Sequence, residues 1–85
     1  MASYSVRIKR SAAKEIEALQ RRDRTRVSER IGALATDPRP AGAEKLSNEE
    51  RYRVRQGNYR ILYEIVDREL IVTVVRVGHR RDVYR

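Results

Sequence analysis

Apolar and polar residues alternate across residues 4–9: Tyr4, Val6 and Ile8 fall on one side, Ser5, Arg7 and Lys9 on the other, which is the period of a strand. The period then lengthens. Ser11 stands where a helix cap is wanted, and Ala12, Ile16 and Leu19 recur at helical spacing. Arg21 and Arg22 follow at the C-terminal end, where the helix dipole favours cations. Asp23 stands as the cap of a second helix with the stripe Val27, Ile31 and Leu34, stopped by Asp37-Pro38. Residues 39–48 carry Pro40 and Gly42 and read as a loop. Beyond them the period falls to two, predicting strands at about 51–56, 59–66 and 70–77. Gly57-Asn58 is a two-residue hairpin signal, and residues 67–69 begin the next turn. The order β-α-α-β-β-β predicts an α+β fold, a single unit over 1–85, with an antiparallel sheet and the two N-terminal helices packed on one face.

The hairpin fixes a register. With Gly57-Asn58 as the turn, Gln56 pairs with Tyr59, Arg55 with Arg60, Val54 with Ile61 and Tyr52 with Tyr63. One face then collects Tyr52, Val54, Ile61 and Tyr63, and the other Arg51, Arg53, Arg55 and Arg60. A three-residue loop slips the pairing by one and sets arginines opposite core residues, so it is rejected. Like charges directly opposed destabilise a strand pair by a few tenths to about 1 kcal/mol. A chain that keeps several arginines there is expected to use them on an anion, unless each finds a carboxylate such as Glu49, Glu50, Glu64 or Asp67.

Charge sharpens this expectation. Twenty Lys+Arg oppose twelve Asp+Glu, for a formal +8, and only Lys9, Lys14 and Lys45 among the basic residues are lysines. The guanidinium binds phosphate through a planar two-pronged fork that an ammonium lacks. Such a surface suits a polyanion, nucleic acid above all. The absence of cysteine excludes a disulfide framework and any thiolate metal site, and is compatible with a reducing compartment. One histidine leaves a metal centre short of ligands, so neither metal nor cofactor is expected. No apolar run approaches the ~20 residues of a membrane span, and the N-terminus lacks the apolar stretch of a signal peptide, so a cytoplasmic protein is expected.

The last strand runs into Gly78-His79-Arg80-Arg81-Asp82-Val83-Tyr84-Arg85, which delivers a histidine, arginines and a tyrosine to the end of the sheet. Together with Lys45-Leu46, Tyr52-Arg53-Val54-Arg55 and Tyr59-Arg60-Ile61-Leu62-Tyr63, this pattern resembles the RelE branch of the RelE/ParE toxin superfamily. The likeness extends over nearly the whole chain; its specific parts are GNYRILYEI and VGHRRDVY, while the helices are generic.

The resemblance implies the toxin of a type II toxin–antitoxin pair, a metal-independent endoribonuclease that enters the ribosomal A site and cuts the mRNA codon displayed there. The substrate 2′-hydroxyl is the implied nucleophile, and the implied products are a 2′,3′-cyclic phosphate (or the derived 3′-phosphate) and a 5′-hydroxyl. By the same likeness Arg60 is the phosphate-stabilising arginine and Arg80 supports the transition state or the leaving group. Tyr84 stacks on the base or acts in proton transfer, and Arg53 and Arg55 orient the scissile phosphate. Those last two positions are lysines in the founding member, one of them a candidate base. Arginine stays protonated and makes a poor base, so the base is open here. Tyr84 is one candidate, if the arginines around it favour phenolate. Glu44, where some relatives carry a catalytic glutamate, is another. Lys45, Arg81 and His79 are candidate RNA contacts; His79 has the most convenient ordinary pKa but reads more readily as structural or RNA-contacting than as catalytic. Tyr4, Tyr52, Tyr59 and Tyr63 read as packing residues.

A toxin of this kind implies a partner, a RelB-like antitoxin with an acidic, amphipathic segment that complements the +8 charge. Two alternatives remain at this point: a ParE-like toxin that poisons DNA gyrase, and a member that binds RNA and antitoxin without cutting.

Overall fold

A computed structural model describes residues 3–46 and 50–79. In it, β1 (Ser5–Ile8) leads directly into α1 (Arg10–Glu17) and α2 (Arg21–Ala33), followed by β2 (Glu44–Lys45), β3 (Arg51–Gln56), β4 (Tyr59–Val66) and β5 (Ile71–His79). Among the described residues the sheet has five strands in the order β1-β5-β4-β3-β2. Both helices lie on one face, so the expected α+β architecture holds. Among the described residues no helix is long and apolar enough to cross a membrane.

The core is the face read from the alternation. Tyr52, Val54, Ile61, Tyr63, Ile65, Val72, Val74 and Val77 from the strands pack on Ala12, Ile16, Val27, Ile31 and Leu34 from the helical layer, all buried. Tyr63 is fully buried and its hydroxyl donates to the Pro38 carbonyl at 2.7 Å, so the polar tip of the ring is satisfied where burial alone would penalise it. Burial also pushes its pKa up to about 12. The hairpin register is the one predicted, from Gln56↔Tyr59 through Tyr52↔Tyr63. Gly57 at φ +61° supplies the left-handed residue the tight turn needs.

One strand departs from the antiparallel expectation: β1 pairs parallel with β5. The helical hairpin explains it. The Tyr4 N–H donates to the Ala35 carbonyl at 2.8 Å, so α2 returns the chain to the end of the sheet where β1 began. β3 therefore sets out in the direction of β1, and after two hairpin reversals β5 runs that way again. The 39–48 loop also contains β2, two residues paired antiparallel to β3.

Three helix-end assignments change. Lys9, not Ser11, precedes α1, and no side chain caps it; the Lys9 N–H is already taken by the Val74 carbonyl at 2.9 Å, so the helix starts as soon as β1 ends. Gln20 precedes α2, which puts Asp23 inside its first turn and makes Arg21 and Arg22 its opening residues instead of the tail of α1. α2 ends at Ala33, ahead of Asp37-Pro38.

A β-bulge interrupts the β4–β5 pairing. Tyr63 lies opposite Val74 but Leu62 lies opposite Arg76, leaving Val75 as the extra residue. With unbroken alternation, Arg76 would follow Val72 and Val74 into the core opposite Ile61. The bulge moves Val77 there instead and turns Val75 to the outer face, where it packs with Leu62 under Leu46. Glu15 of α1 fastens this bulge. Its carboxylate accepts the Val77 N–H at 2.8 Å and an Arg76 guanidinium N–H at 3.1 Å.

Candidate functional site

On the sheet face away from the helices, β3 raises arginines at alternate positions and β4 adds Arg60. Arg53, Arg55 and Arg60, with Gly42, Ala43 and Glu44 from the segment that enters and forms β2, line a concavity of about 450 Å³. Arg55 and Arg60 lie directly opposite across the hairpin. Glu44 faces Arg53 across β2 and β3.

The cleft has internal order. Arg53 donates to one Glu44 oxygen through both Nη2, at 2.6 Å, and Nε, at 3.2 Å. This clamps an otherwise flexible side chain that is only 18% exposed. One guanidinium nitrogen of Arg60 is fully buried, so that head is sunk into the wall of the cleft. Arg55 is exposed and makes no hydrogen bond or ion pair with any described residue. The Arg53 guanidinium holds the Glu44 carboxyl below its ordinary pKa, with Arg60 and Arg55 adding to the pull. Glu44 is therefore firmly ionised and a weaker proton acceptor than a free glutamate.

Three guanidiniums around one carboxylate leave a formal excess of two positive charges. A phosphodiester carries one negative charge, and a pentacoordinate phosphorane formed from an alkoxide carries two. The cleft thus meets the charge that grows between ground state and transition state.

Other arginines near the sheet serve architecture. Arg51 pairs with Glu64 at 2.9 Å across β3 and β4. Arg39 binds both Asp67 oxygens, at 3.1 and 2.8 Å, and lies over the Tyr52 ring, its carbon 5.1 Å from the centroid. The Tyr4 hydroxyl joins them at 2.6 Å from Asp67, so one carboxylate ties β1, the loop after α2 and the end of β4. Two of the carboxylates proposed as neutralising partners, Glu64 and Asp67, are therefore spent outside the cleft.

The structure gathers four of the candidate residues, Arg53, Arg55, Arg60 and Glu44, and separates two others. Lys45 lies opposite Tyr52, a core-face residue, and its ammonium is 3.9 Å from Glu50; it does not line the cleft. His79 lies opposite Tyr59 and meets that ring edge-on at 5.9 Å, whereas Gly78 is the residue opposite Arg60. Arg80, Arg81 and Tyr84 lie outside the described residues. Tyr4, Tyr52, Tyr59 and Tyr63 pack in or against the core as read from the alternation. Sequence reasoning missed Glu15. The signal was present in Val72-Thr73-Val74-Val75-Arg76-Val77, whose alternation has to break to keep Arg76 out of the core.

Two helices over a mixed sheet, as formed by the described residues, is the fold of the RelE toxins. The chain is similar to the RelBE2 toxin–antitoxin complex of Mycobacterium tuberculosis, with TM-score 0.82 and 32% identity over 93% of this chain and 100% of that one. The archaeal RelE–RelB complex of Pyrococcus horikoshii shares the fold at TM-score 0.81 and 21% identity, over 95% of this chain and 99% of that one.

Residues 6–84 match the family model of the ParE toxin of the type II toxin–antitoxin system parDE, and the chain belongs to that family. Toxin RelG of Mycobacterium tuberculosis is 35% identical to it over 96% of this chain and 97% of the relative. A putative RelE-like toxin of Escherichia coli is 27% identical over 95% and 90%. The chain is thus a type II toxin of the RelE/ParE superfamily, as its sequence pattern implied.

Proposed function

We propose that this toxin is a metal-independent endoribonuclease that cuts messenger RNA in the ribosomal A site and so stops translation. The observation that carries the reading is the cleft itself: Arg53, Arg55 and Arg60 converge from two adjacent strands on a space of about 450 Å³ with one carboxylate at its edge.

In the proposed reaction the substrate 2′-oxygen bonds to the adjacent phosphorus while the bond from phosphorus to the 5′-oxygen breaks. The 2′-hydroxyl proton leaves to a base and the 5′-oxygen takes up a proton. Arg60 and Arg55 hold the non-bridging oxygens as their charge grows. Arg53, braced by Glu44, fixes the phosphate against the sheet. The lowered pKa of Glu44 suits an orienting carboxylate better than the base. Arg80 and Tyr84 are proposed as the leaving-group and proton-transfer residues, and Arg81, Lys45 and His79 as contacts to more distant parts of the RNA.

The antitoxin is proposed as a RelB-like protein whose acidic segment covers the basic surface, and the toxin is proposed to act in the cytoplasm. Primer extension on a message in a translating extract tests the activity. The wild-type chain is expected to leave discrete cuts within translated codons, and Arg60→Ala, Arg80→Ala and Tyr84→Ala each to remove them with the fold intact. Intact messages together with gyrase-dependent DNA breaks assign the chain to the gyrase-poisoning activity instead. Neither cuts nor breaks from an RNA-binding chain leave a binder without catalysis.

A further inference from the structure

The helical layer carries a second concentration of arginine that the cleft does not explain. α2 holds Arg21, Arg22, Arg24, Arg26 and Arg30 within thirteen residues, and the first four are exposed. None of the five side chains makes a hydrogen bond or ion pair with a described residue. Arg22 and Arg26 stand in one row at four-residue spacing, about 6 Å apart along the axis, while Arg30, next in that spacing, is half-buried with its Nε out of solvent. Like charges at that spacing destabilise a helix. Arg21, Arg22 and Arg24 also occupy the first turn, where the dipole disfavours cations.

The helix has little acid of its own to compensate. Asp23 accepts the Tyr59 hydroxyl at 3.3 Å, which leaves Glu29 as the exposed carboxylate among the row. Elsewhere the fold does pair arginine with carboxylate, as at Arg39–Asp67, Arg51–Glu64, Arg53–Glu44 and Arg76–Glu15. Folding alone gives no reason to leave one helix unpaired.

We propose that the outward face of α2 is a second nucleic-acid-binding surface, which grips the phosphate backbone of a base-paired RNA while the cleft on the other side of the sheet handles a single strand. Two features favour RNA over a protein partner. Among the described residues the exposed large apolar side chains are Ile8, Val66 and Leu70, none of them on α2, so the face lacks the apolar centre a protein interface needs. It offers instead guanidiniums in a row, which suits phosphates read by shape and charge without base recognition. The inference goes beyond the nuclease reading, since gripping a duplex needs no cleavage.

The test is equilibrium binding of the full chain to a short 2′-O-methyl RNA stem-loop, which blocks attack by the 2′-oxygen, across a range of KCl. In the variant carrying Arg21→Gln, Arg22→Gln, Arg24→Gln and Arg26→Gln, the log–log salt slope is expected to fall by about 3, at ~0.7–0.9 for each phosphate no longer neutralised. Affinity near physiological salt should weaken at least about tenfold, while binding of a short single-stranded oligonucleotide stays unchanged. The melting temperature should hold or rise, because like-charge repulsion is removed; the double variant Arg22→Gln/Arg26→Gln, with about half the slope change, covers the case in which the fourfold variant does not fold. An unchanged slope overturns the proposal, as does a loss of affinity for an acidic antitoxin peptide with stem-loop binding intact. A wild-type chain that never cuts message but whose slope drops in the variant defeats the nuclease reading and leaves this one standing; a cutting chain with an unmoved slope does the reverse.

Discussion

Arginine occurs in two settings on opposite sides of one sheet, and they differ in how much freedom the fold has removed. In the cleft, Arg53 is clamped by Glu44 and Arg60 is partly sunk into the wall. On α2, four arginines project into solvent without an acidic partner among the described residues. A braced guanidinium has already lost much of its rotamer entropy and presents a fixed geometry, which chemistry at one phosphorus atom requires. An unbraced one keeps its reach and contributes mainly field, which suffices for a backbone of regularly spaced charges. The cleft sets one exposed guanidinium, Arg55, between two restrained ones, Arg53 and Arg60, whereas the exposed arginines of α2 have no such restraint among the described residues.

Substitutions on the two sides should break or sharpen this contrast. The largest effect is expected from Arg60→Ala, which should slow message cleavage about 100- to 1000-fold, the usual loss when one donor to a developing oxyanion is removed. Its circular dichroism and melting should stay close to the wild type; a comparable loss from Arg24→Ala would erase the distinction between the faces. Next is Glu15→Ala. It removes the acceptor of the Val77 N–H and the partner of Arg76, so the bulge that sets Gly78 opposite Arg60 loosens. Amide exchange at Val77 should speed up, and cleavage should fall on the order of 10-fold or more through kcat. Glu15→Gln, which keeps a carbonyl acceptor, should recover most of it.

A smaller effect separates the two roles open to Glu44. As a brace for Arg53, its replacement by Gln should lower single-turnover cleavage by less than about tenfold. A loss beyond ~100-fold, with the alkaline limb of the pH profile unchanged and the acidic limb gone, makes it the base. The smallest effect is on stability alone. Asp67 is held down to about 2 from its ordinary 3.8, first by Arg39 and then by Tyr4. A depressed carboxyl stabilises the fold fully above its unfolded value and loses that contribution as pH falls through the folded one. The wild type should therefore melt above Asp67→Asn at neutral pH, with the gap closing between about pH 4 and pH 2, while cleavage at neutral pH is little changed.

Much of this was legible in the chain. A strict two-residue period with Gly57-Asn58 at its centre allows one register, and that register puts Arg53, Arg55 and Arg60 on a single face. What was hidden depends on contacts distant in sequence. The parallel placement of β1 follows from where α2 ends, a tertiary fact marked by the Tyr4–Ala35 bond. The entry of α1 is set by a sheet hydrogen bond to Lys9, which overrides the capping preference of Ser11. Glu15 acquires its role only because α1 lies beside a bulge sixty residues away in the chain. Lys45 and His79 looked like members of the site because they neighbour it in sequence, yet strand pairing turns each toward a residue of the core side, Tyr52 and Tyr59.

The central claim is best tested by titrating the protein with a 2′-deoxy dinucleotide, which presents one phosphodiester and cannot be cut, while following the arginine side-chain N–H resonances by NMR. The account predicts saturable shifts at Arg53, Arg55 and Arg60, with Arg21, Arg22, Arg24 and Arg26 unmoved. Shifts confined to α2, or none in the cleft at saturating ligand, contradict it.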